Sequence, residues 1–143
     1  IFGNDISRKV LRTAREAVYR DSSFRSTDAR YIDRYFVTEH NMRRLRDEVR
    51  NRVTFGHLNL MHEGSMALLS NVDVIFCRNV IIYFDQRARS NLISMFYRKL
   101  RPGGYLLLGH SESLINVSTD FELVPLKNDM VYRKPSSQHG GGG

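Results

Sequence analysis

The sequence contains a single cysteine, Cys77, among 143 residues. One thiol excludes an intramolecular disulfide and is typical of a protein in a reducing cytoplasm. Apolar runs are short, because Asp73, Arg78 and Asp85 interrupt the most hydrophobic part of the chain. No segment therefore reaches the roughly eighteen apolar residues that a membrane-spanning helix needs. No basic-then-apolar signal segment opens the sequence. These features predict a cytoplasmic protein that does not insert into a membrane.

Motifs for several kinds of enzyme are also absent. The sequence has no glycine-rich phosphate loop, no Ser-His-Asp order and no cysteine or histidine spacing typical of zinc. His57 and His62 lack an accompanying cluster of ligands, so we expect no metal site. The sequence shows no internal repeat. The function must therefore be sought in the pattern of strands, helices and charges.

The chain is strongly basic, with a formal net charge of +7. This balance favours an acidic partner such as nucleic acid, anionic lipid or a carboxylate-rich protein surface, although scattered basic residues also serve simply to solubilise a fold. The one dense basic stretch, residues 43–52, is interrupted by Asp47 and Glu48. The interruption makes it less typical of a nucleic-acid-binding arm. Nucleic-acid binding or methylation is therefore the weaker alternative.

Alternating apolar strands and amphipathic helices predict one α/β domain. Ile1–Asp5 has the pattern of a strand, and Ser7 is a suitable N-cap for a helix whose apolar face includes Val18. Val72–Cys77 predicts a strand buried on both faces within a parallel sheet. Asp85 is a suitable cap for the helix that follows. The other predicted elements are a helix from Thr27 to Phe36, a turn near Glu39–Asn41, a strand at Val53–Leu58, one helical turn at Met66–Leu69, a helical stripe of Ala88, Leu92, Ile93, Phe96 and Leu100 ended by Pro102–Gly104, a strand at Tyr105–Leu108, and a hairpin of Phe121–Leu126 and Met130–Arg133.

Polar side chains follow the predicted strands at their carboxyl ends, where open α/β sheets bind ligands. Asp5 can accept the hydroxyls of a ribose, or it can simply cap the following helix. Asn59 and Leu60 can contact the edge and face of a flat base, or they can form an ordinary turn. Taken alone, these residues leave both interpretations open.

Arg78 and Asn79 are the strongest local signal in the sequence. A guanidinium at the end of a buried strand requires a counter-charge, because burying it unpaired is costly. One alternative is a salt bridge, for which the candidate partners are Asp73, Asp85 and Glu112. The other is a carboxylate on a ligand or substrate, which a guanidinium binds in a bidentate manner.

Three runs of sequence resemble one family closely. FCRNVIIYFD at residues 76–85 and LRPGGYLLLGHSESL at residues 100–114 are similar to the chemotaxis receptor methyltransferases, the CheR-type protein-glutamate O-methyltransferases. DISRKVLRTA at residues 5–14 fits the same family. The resemblance extends from Ile1 to about Lys134 and corresponds to the C-terminal part of the catalytic domain.

The resemblance implies a partial Rossmann-like sheet of the S-adenosylmethionine-dependent methyltransferases. Residues 1–134 would form this partial domain, which lacks the first strand and its glycine-rich turn. Residues 37–55 would form an inserted small β-subdomain, and residues 135–143 a disordered tail. A sheet without its first strand exposes edges, so a strand-exchanged oligomer is a further expectation.

The resemblance also implies a function: methyl transfer from S-adenosyl-L-methionine to glutamate side chains of a chemoreceptor, leaving S-adenosyl-L-homocysteine. The basic β-subdomain would bind the cytoplasmic domain of the receptor. Because the turn at Glu39–Asn41 is short and lacks glycine, we expect binding that is independent of a C-terminal receptor peptide. A non-catalytic cofactor- or protein-binding module of the same fold is the alternative.

The roles implied for individual residues fall into two groups. In the cofactor site, Asp5 would bind the ribose, Asn59 and Leu60 the adenine, and Arg78 and Asn79 the remainder of the cofactor. In catalysis, Arg78 would orient a carboxylate and Tyr83 would lie beside the transferable methyl, although Tyr83 can also be an ordinary core aromatic. His110, Ser111 and Glu112 would shape the same edge of the sheet.

Overall fold

The computed structural model describes residues 1–62, 64, 66–127 and 129–136. The chain divides into two compact units, Ile1–Asn59 and Leu60–Gly143. The first unit contains a two-stranded sheet and a three-stranded sheet, and the second contains a four-stranded sheet. Both units combine these sheets with helices, which confirms the predicted α/β class.

A pair of parallel strands forms the base of the first unit. The elements of this unit are β1 (Phe2–Asp5), α1 (Arg8–Glu16), β2 (Val18–Tyr19), a 3-10 turn (Asp21–Phe24), α2 (Ala29–Tyr35), β3 (Phe36–Glu39), β4 (Met42–Leu45), α3 (Asp47–Arg50) and β5 (Thr54–His57). β1 and β5 pair in parallel, with Asp5 opposite His57. The carboxyl ends of both strands therefore lie at one edge of this sheet.

Helix α1 begins as predicted and ends earlier than predicted. The Ser7 hydroxyl accepts a hydrogen bond from the Val10 N–H at 3.3 Å, so Ser7 is the N-cap. Ala17 adopts a left-handed conformation with φ 56°, which ends the helix. The placement of Val18 on the helical face is therefore wrong, since Val18 begins β2.

Helix α2 is capped one residue later than predicted. The Asp28 carboxylate accepts the N–H of Arg30 at 3.0 Å and is the N-cap. The backbone N–H of Thr27 instead donates to the Phe24 carbonyl and closes the preceding turn. Both residue types are good caps, so composition alone does not distinguish them.

The small antiparallel sheet contains the hairpin expected near residue 40. β3 and β4 are joined by His40 and Asn41, which have φ values of 46° and 58°. Two consecutive positive φ angles define a type I′ turn, whose twist matches that of the hairpin strands. β2 pairs with the other side of β4.

This small sheet does not coincide with the range predicted for an inserted subdomain. It draws its strands from Val18 to Leu45, and the rings of Phe24 and Phe36 meet edge to face beside it at 4.8 Å. Residues 37–55 include the hairpin and α3, but Thr54 and Phe55 belong to β5 and pair with β1. The assignment of residues 37–55 as a separate subdomain stays a prediction.

The second unit is built on a mixed sheet in the order β6, β7, β9, β8. Its elements are β6 (Val72–Cys77), a 3-10 turn (Ile81–Tyr83), α4 (Gln86–Lys99), β7 (Leu100–Leu108), β8 (Glu122–Pro125) and β9 (Met130–Arg133). β6 and β7 are parallel, with Cys77 opposite Leu108. The segment Met66–Leu69 forms hydrogen-bonded turns rather than a helix.

Helix α4 supplies much of the core of this unit. The Asp85 carboxylate accepts the Ala88 N–H at 2.8 Å, which confirms the predicted N-cap. Three members of the predicted stripe lie buried in the helix, Leu92, Ile93 and Phe96, whereas Leu100 is buried in β7. In the described part of the chain, no helix is both long and apolar enough to cross a membrane.

The Pro102–Gly104 segment does not end α4, contrary to prediction. The helix ends at Lys99, and Leu100 is already extended with ψ 139°. Pro102–Gly104 lies within β7, where Gly104 fits close to the neighbouring strand. A Cβ atom at Gly104 would lie 3.0 Å from the Asp73 carbonyl oxygen, so the close approach of β6 favours glycine there.

Strand β6 is not buried on both faces as predicted. Cys77 is buried, but Val74 is exposed and Phe76 is 72% exposed. Among the described residues, β6 pairs only with β7 and is therefore an edge strand. Side chains alternate across a strand, so Val74 and Phe76 share the uncovered face. The proposed strand-exchanged oligomer stays a prediction.

The C-terminal hairpin is present, since β8 and β9 pair in antiparallel fashion with Glu122 opposite Arg133. Asn128, in the predicted turn of that hairpin, lies outside the described residues. Most of the predicted disordered tail, residues 137–143, also lies outside them.

Removing the Asp85 cap tests the contribution of α4. We expect Asp85→Ala to lower the free energy of unfolding by about 1 kcal/mol, because the N–H of Ala88 loses its acceptor. Urea unfolding followed by circular dichroism measures the change. Asp85→Asn, which retains an N-cap oxygen, should keep most of the stability. Equal losses in both variants would contradict a capping role.

Candidate functional site

Each unit brings candidate site residues to the carboxyl end of a parallel strand pair. In the first unit these residues follow β1 and β5, and in the second they follow β6 and β7. The first cluster contains Asp5 and Asn59, and the second contains Arg78, Asn79 and Tyr83.

Asp5 is held at the end of β1 by the turn into α1. Its Oδ1 accepts the Ser7 N–H at 2.7 Å, so the carboxylate does shape the start of the helix. This is the only side-chain hydrogen bond of Asp5 within the described residues, which leaves its second oxygen available to a ligand donor. The structural and the ligand-binding interpretations are therefore compatible. The carboxylate is partly exposed at the strand end.

Asn59 follows β5 at the same edge of the sheet. His57, the last residue of β5, lies opposite Asp5, and its Nε2 is 2.9 Å from the Ile6 carbonyl oxygen. Asn59 lies two residues beyond His57 and is half-buried. Leu60, also half-buried, is the first residue of the second unit.

A basic cleft in the first unit is separate from these predicted residues. It has a volume of about 430 Å³ and is lined by Arg8, Leu11, Arg12, Arg15, Glu16 and His57. The Arg15 Nη2 donates to the Phe55 carbonyl at 3.0 Å. The three arginines of the cleft lie on α1 and make this helix face positively charged. None of the predicted cofactor-binding residues lines the cleft.

Arg78 is exposed, so the argument that a buried guanidinium needs a counter-charge is wrong for this residue. Among the described residues β6 is an edge strand, and Arg78 follows its buried last residue, Cys77. The salt-bridge alternative is not realised either, because all three candidate acids are engaged elsewhere. Asp73 pairs with Arg101 at 2.6 Å, Asp85 caps α4, and Glu112 binds backbone N–H groups.

Glu112 has a larger structural role at this edge than the sequence indicated. Its side chain is buried, with only 9% of the residue exposed. Oε2 accepts the N–H groups of Asn79 and Gly109, both at 2.7 Å. Oε1 accepts those of Val80 at 2.8 Å, Ile81 at 2.9 Å and Ile82 at 3.4 Å. One carboxylate thus joins the end of β7 to the turn that follows β6.

Two opposing effects set the ionisation of this carboxyl. Burial alone would raise the pKa of Glu112, whereas hydrogen bonds from the N–H groups of Gly109, Asn79, Val80 and Ile82 lower it. The hydrogen bonds prevail, and the pKa of Glu112 lies below its ordinary value. The carboxylate is therefore ionised at neutral pH, although it forms no ion pair with any residue that the structure describes.

Asn79 begins the backbone segment that Glu112 binds, and Tyr83 directly follows that segment. Asn79 adopts a left-handed conformation with φ 59°, which turns the chain sharply after β6. Tyr83 is 79% exposed, so it is not an ordinary core aromatic. Ile81 is buried, and Arg89 Nε donates to its carbonyl at 2.8 Å, which anchors the turn from the side of α4.

His110 and Ser111 are exposed beside this turn. Within residues 1–62, 64, 66–127 and 129–136, no group of three His, Cys, Asp or Glu side chains is arranged to hold a metal ion. The polar groups at this edge are thus a guanidinium, a carboxamide, a phenol, an imidazole, a hydroxyl and a buried carboxylate. Such a set can bind and orient an anionic ligand.

Comparison with known proteins identifies a family whose model matches most of the chain. A family model described as "CheR methyltransferase, SAM binding domain" matches residues 1–130. The chain belongs to this family. The resemblance seen in the sequence is thereby confirmed, and the cofactor of the family is S-adenosyl-L-methionine.

Individual relatives agree with the family assignment. The chain is 35% identical over 136 residues to "Chemotaxis protein methyltransferase 2" of Vibrio cholerae, covering 94% of this chain and 47% of that protein. It is 35% identical over 127 residues to the Salmonella typhimurium "Chemotaxis protein methyltransferase", covering 86% and 44%. It is 31% identical over 132 residues to the "Probable biofilm formation methyltransferase WspC" of Pseudomonas aeruginosa, covering 92% and 31%. The chain thus spans less than half the length of these relatives.

The environment of Cys77 makes a simple chemical prediction. Burial, reinforced by the negative charge of Glu112, raises the pKa of the Cys77 thiol to about 12. Because the thiolate is the reactive form, we expect a disulfide reagent to label the folded protein very slowly and the urea-unfolded protein rapidly. Absorbance of the released thiol measures both rates. Rapid labelling of the folded protein would show that this strand end is open.

Proposed function

We propose that this chain is the cofactor-binding part of a protein-glutamate O-methyltransferase that acts on the cytoplasmic domain of a chemoreceptor. The proposal is supported mainly by the environment of Arg78. Its guanidinium is exposed just after β6, and the three acidic residues that could have paired with it are all engaged elsewhere. The relatives named chemotaxis protein methyltransferases support methyl transfer in chemotaxis, and the sequence resemblance supplies the glutamate substrate. Membership of the family supplies the cofactor.

The first unit would contribute to binding the adenosine part of the cofactor. Asp5 suits a ribose, because one carboxylate oxygen is held by Ser7 and the other can accept from a hydroxyl. Asn59 follows the neighbouring strand and offers both a donor and an acceptor to an adenine edge. Leu60, which follows Asn59 directly in the chain, would cover the face of the base. An acceptor, a carboxamide and an apolar side chain fit the adenosine group of the cofactor that the family binds.

In the second unit the proposed site residues are Arg78, Asn79 and Tyr83. Arg78 would bind a carboxylate, either on the methionine moiety or on the incoming substrate, since its planar guanidinium suits two parallel hydrogen bonds. Asn79 would contribute to cofactor binding beside it. Tyr83 would frame the transferable methyl group with its exposed ring.

The reaction requires little acid–base chemistry from these residues. When bound, S-adenosyl-L-methionine supplies a methyl group activated by a positively charged sulfur, and a glutamate carboxylate can accept it as a methyl ester. That carboxylate, with an ordinary pKa of about 4.3, is already ionised at neutral pH. The chain therefore has only to bind and orient the reactants and to exclude water.

Recognition of the receptor would involve the basic segment 43–52. This segment has five arginines against two acidic residues. Arg43 and Arg44 are held by salt bridges to Asp21 and Glu39, at 2.9 and 3.3 Å, which fixes them on the hairpin strand β4. The two-residue turn at His40 and Asn41 supports binding that is independent of a receptor peptide. The resemblance to WspC supports, as a second candidate, a receptor outside chemotaxis.

A test of the cofactor site uses Asp5 and a matched control. Isothermal titration with S-adenosyl-L-homocysteine should give a dissociation constant about ten- to a hundredfold weaker for Asp5→Ala, the loss expected for hydrogen bonds to a charged group. Asp28→Ala removes a carboxylate with the same local geometry, an acceptor for the N–H two residues on, at the start of α2. It should leave affinity unchanged. Equal affinities for both variants and the parent would contradict the ribose role.

A test of the methyl-transfer site uses two arginines of the same sheet. In the full-length protein, we expect Arg78→Ala to reduce transfer of labelled methyl groups to receptor by about a hundredfold, because a bidentate carboxylate contact is lost. Arg101→Ala alters the other end of the strands and breaks only an exposed ion pair with Asp73, which contributes little to stability. It should retain activity. Normal methylation by Arg78→Ala would rule out the proposed role.

A further inference from the structure

Glu112 is a buried carboxylate whose charge is balanced by backbone rather than by a cation. In the described part of the chain it makes no ion pair, and five N–H groups converge on its two oxygens. Four of those groups come from consecutive residues, 79–82. Burying a charge in this way is costly unless every lone pair has a donor, and here the donors are supplied.

The segment that Glu112 holds runs between the two residues assigned to catalysis. Residues 79–82 are flanked directly by Arg78 and Tyr83. Both of these side chains are exposed, and neither makes a side-chain hydrogen bond or ion pair with any residue that the structure describes. Their positions are therefore set by the backbone that joins them, and not by contacts of their own.

The packing at Gly109 shows how closely this backbone is held. A Cβ atom at Gly109 would lie 2.5 Å from the Asn79 Oδ1 and 2.8 Å from the Glu112 Oε2. Such distances are too short for real contacts, so any side chain at residue 109 would force Asn79 or Glu112 to move. Glu112 thus holds the turn by accepting its N–H groups, and Gly109 allows the close approach because it has no side chain.

We propose that Glu112 is a positioning residue of the methyltransferase site, which fixes Arg78 and Tyr83 by binding the backbone between them. This inference rests on the proposed function and extends it to a residue outside the substrate contacts. Glutamate is suited to the task because an ionised carboxylate is purely an acceptor, with four lone-pair directions. The amide of a glutamine would present two N–H donors to other N–H donors.

The test compares Glu112→Gln with a variant that alters stability alone. In the full-length protein, we expect Glu112→Gln to weaken S-adenosyl-L-homocysteine binding about tenfold or more, because the guanidinium of Arg78 is no longer held in place. Leu100→Ala removes a buried side chain at the other end of β7 and should destabilise the fold while leaving the affinity of the folded protein unchanged. Equal affinity of Glu112→Gln and the parent would overturn the inference.

A double-mutant cycle separates positioning from a general structural effect. If Glu112 acts through Arg78, Glu112→Gln should weaken binding much less in an Arg78→Ala background than in the parent. Full additivity of the two losses would contradict positioning through Arg78. Absence of binding by the parent itself would instead overturn the proposed function, so the two failures are distinguishable.

Gly109→Ala provides a second route should Glu112→Gln not fold. This variant keeps the carboxylate and displaces Asn79 and the turn. It should also weaken S-adenosyl-L-homocysteine binding about tenfold or more, with a loss that again shrinks in the Arg78→Ala background. Unchanged affinity in a folded Gly109→Ala protein would overturn the inference.

Discussion

The polar edge of the second unit depends on one interaction, the capture of five backbone N–H groups by the carboxylate of Glu112. A sharp turn at a strand end leaves such groups without partners, and leaving them buried and unpaired is costly. A carboxylate satisfies several at once and is itself stabilised as an anion. The turn after β6 can therefore be both compact and irregular, with Arg78 and Tyr83 directed to solvent.

This arrangement separates the residues that would contact ligand from those that hold them. The exposed groups, Arg78 and Tyr83, carry the chemistry proposed for a member of the CheR methyltransferase family. The buried residues hold the turn in its conformation; they are Glu112, Gly109 and Ile81. A reaction that needs no proton transfer depends mainly on such positioning.

Local features of the fold could be predicted from the sequence, and features that depend on distant residues could not. Ser7 and Asp85 were recognised as caps because a cap involves only neighbouring residues. The exposure of Arg78 was missed, since it depends on which strands pair with β6. Four of the five N–H partners of Glu112 lie about thirty residues away in sequence, so only a shaping role could be inferred for it. The runs that resemble the family include the ends of β1, β6 and β7.

The most direct measurement is amide hydrogen exchange in the residues bound to Glu112. NMR at neutral pH should show slow exchange for the amides of Asn79, Val80, Ile81 and Gly109, and Glu112→Gln should accelerate all four together while α4 amides stay protected. That result would establish the carboxylate as the common anchor of the turn. Exchange of these four amides in the parent at the rate of an unprotected peptide would contradict the account.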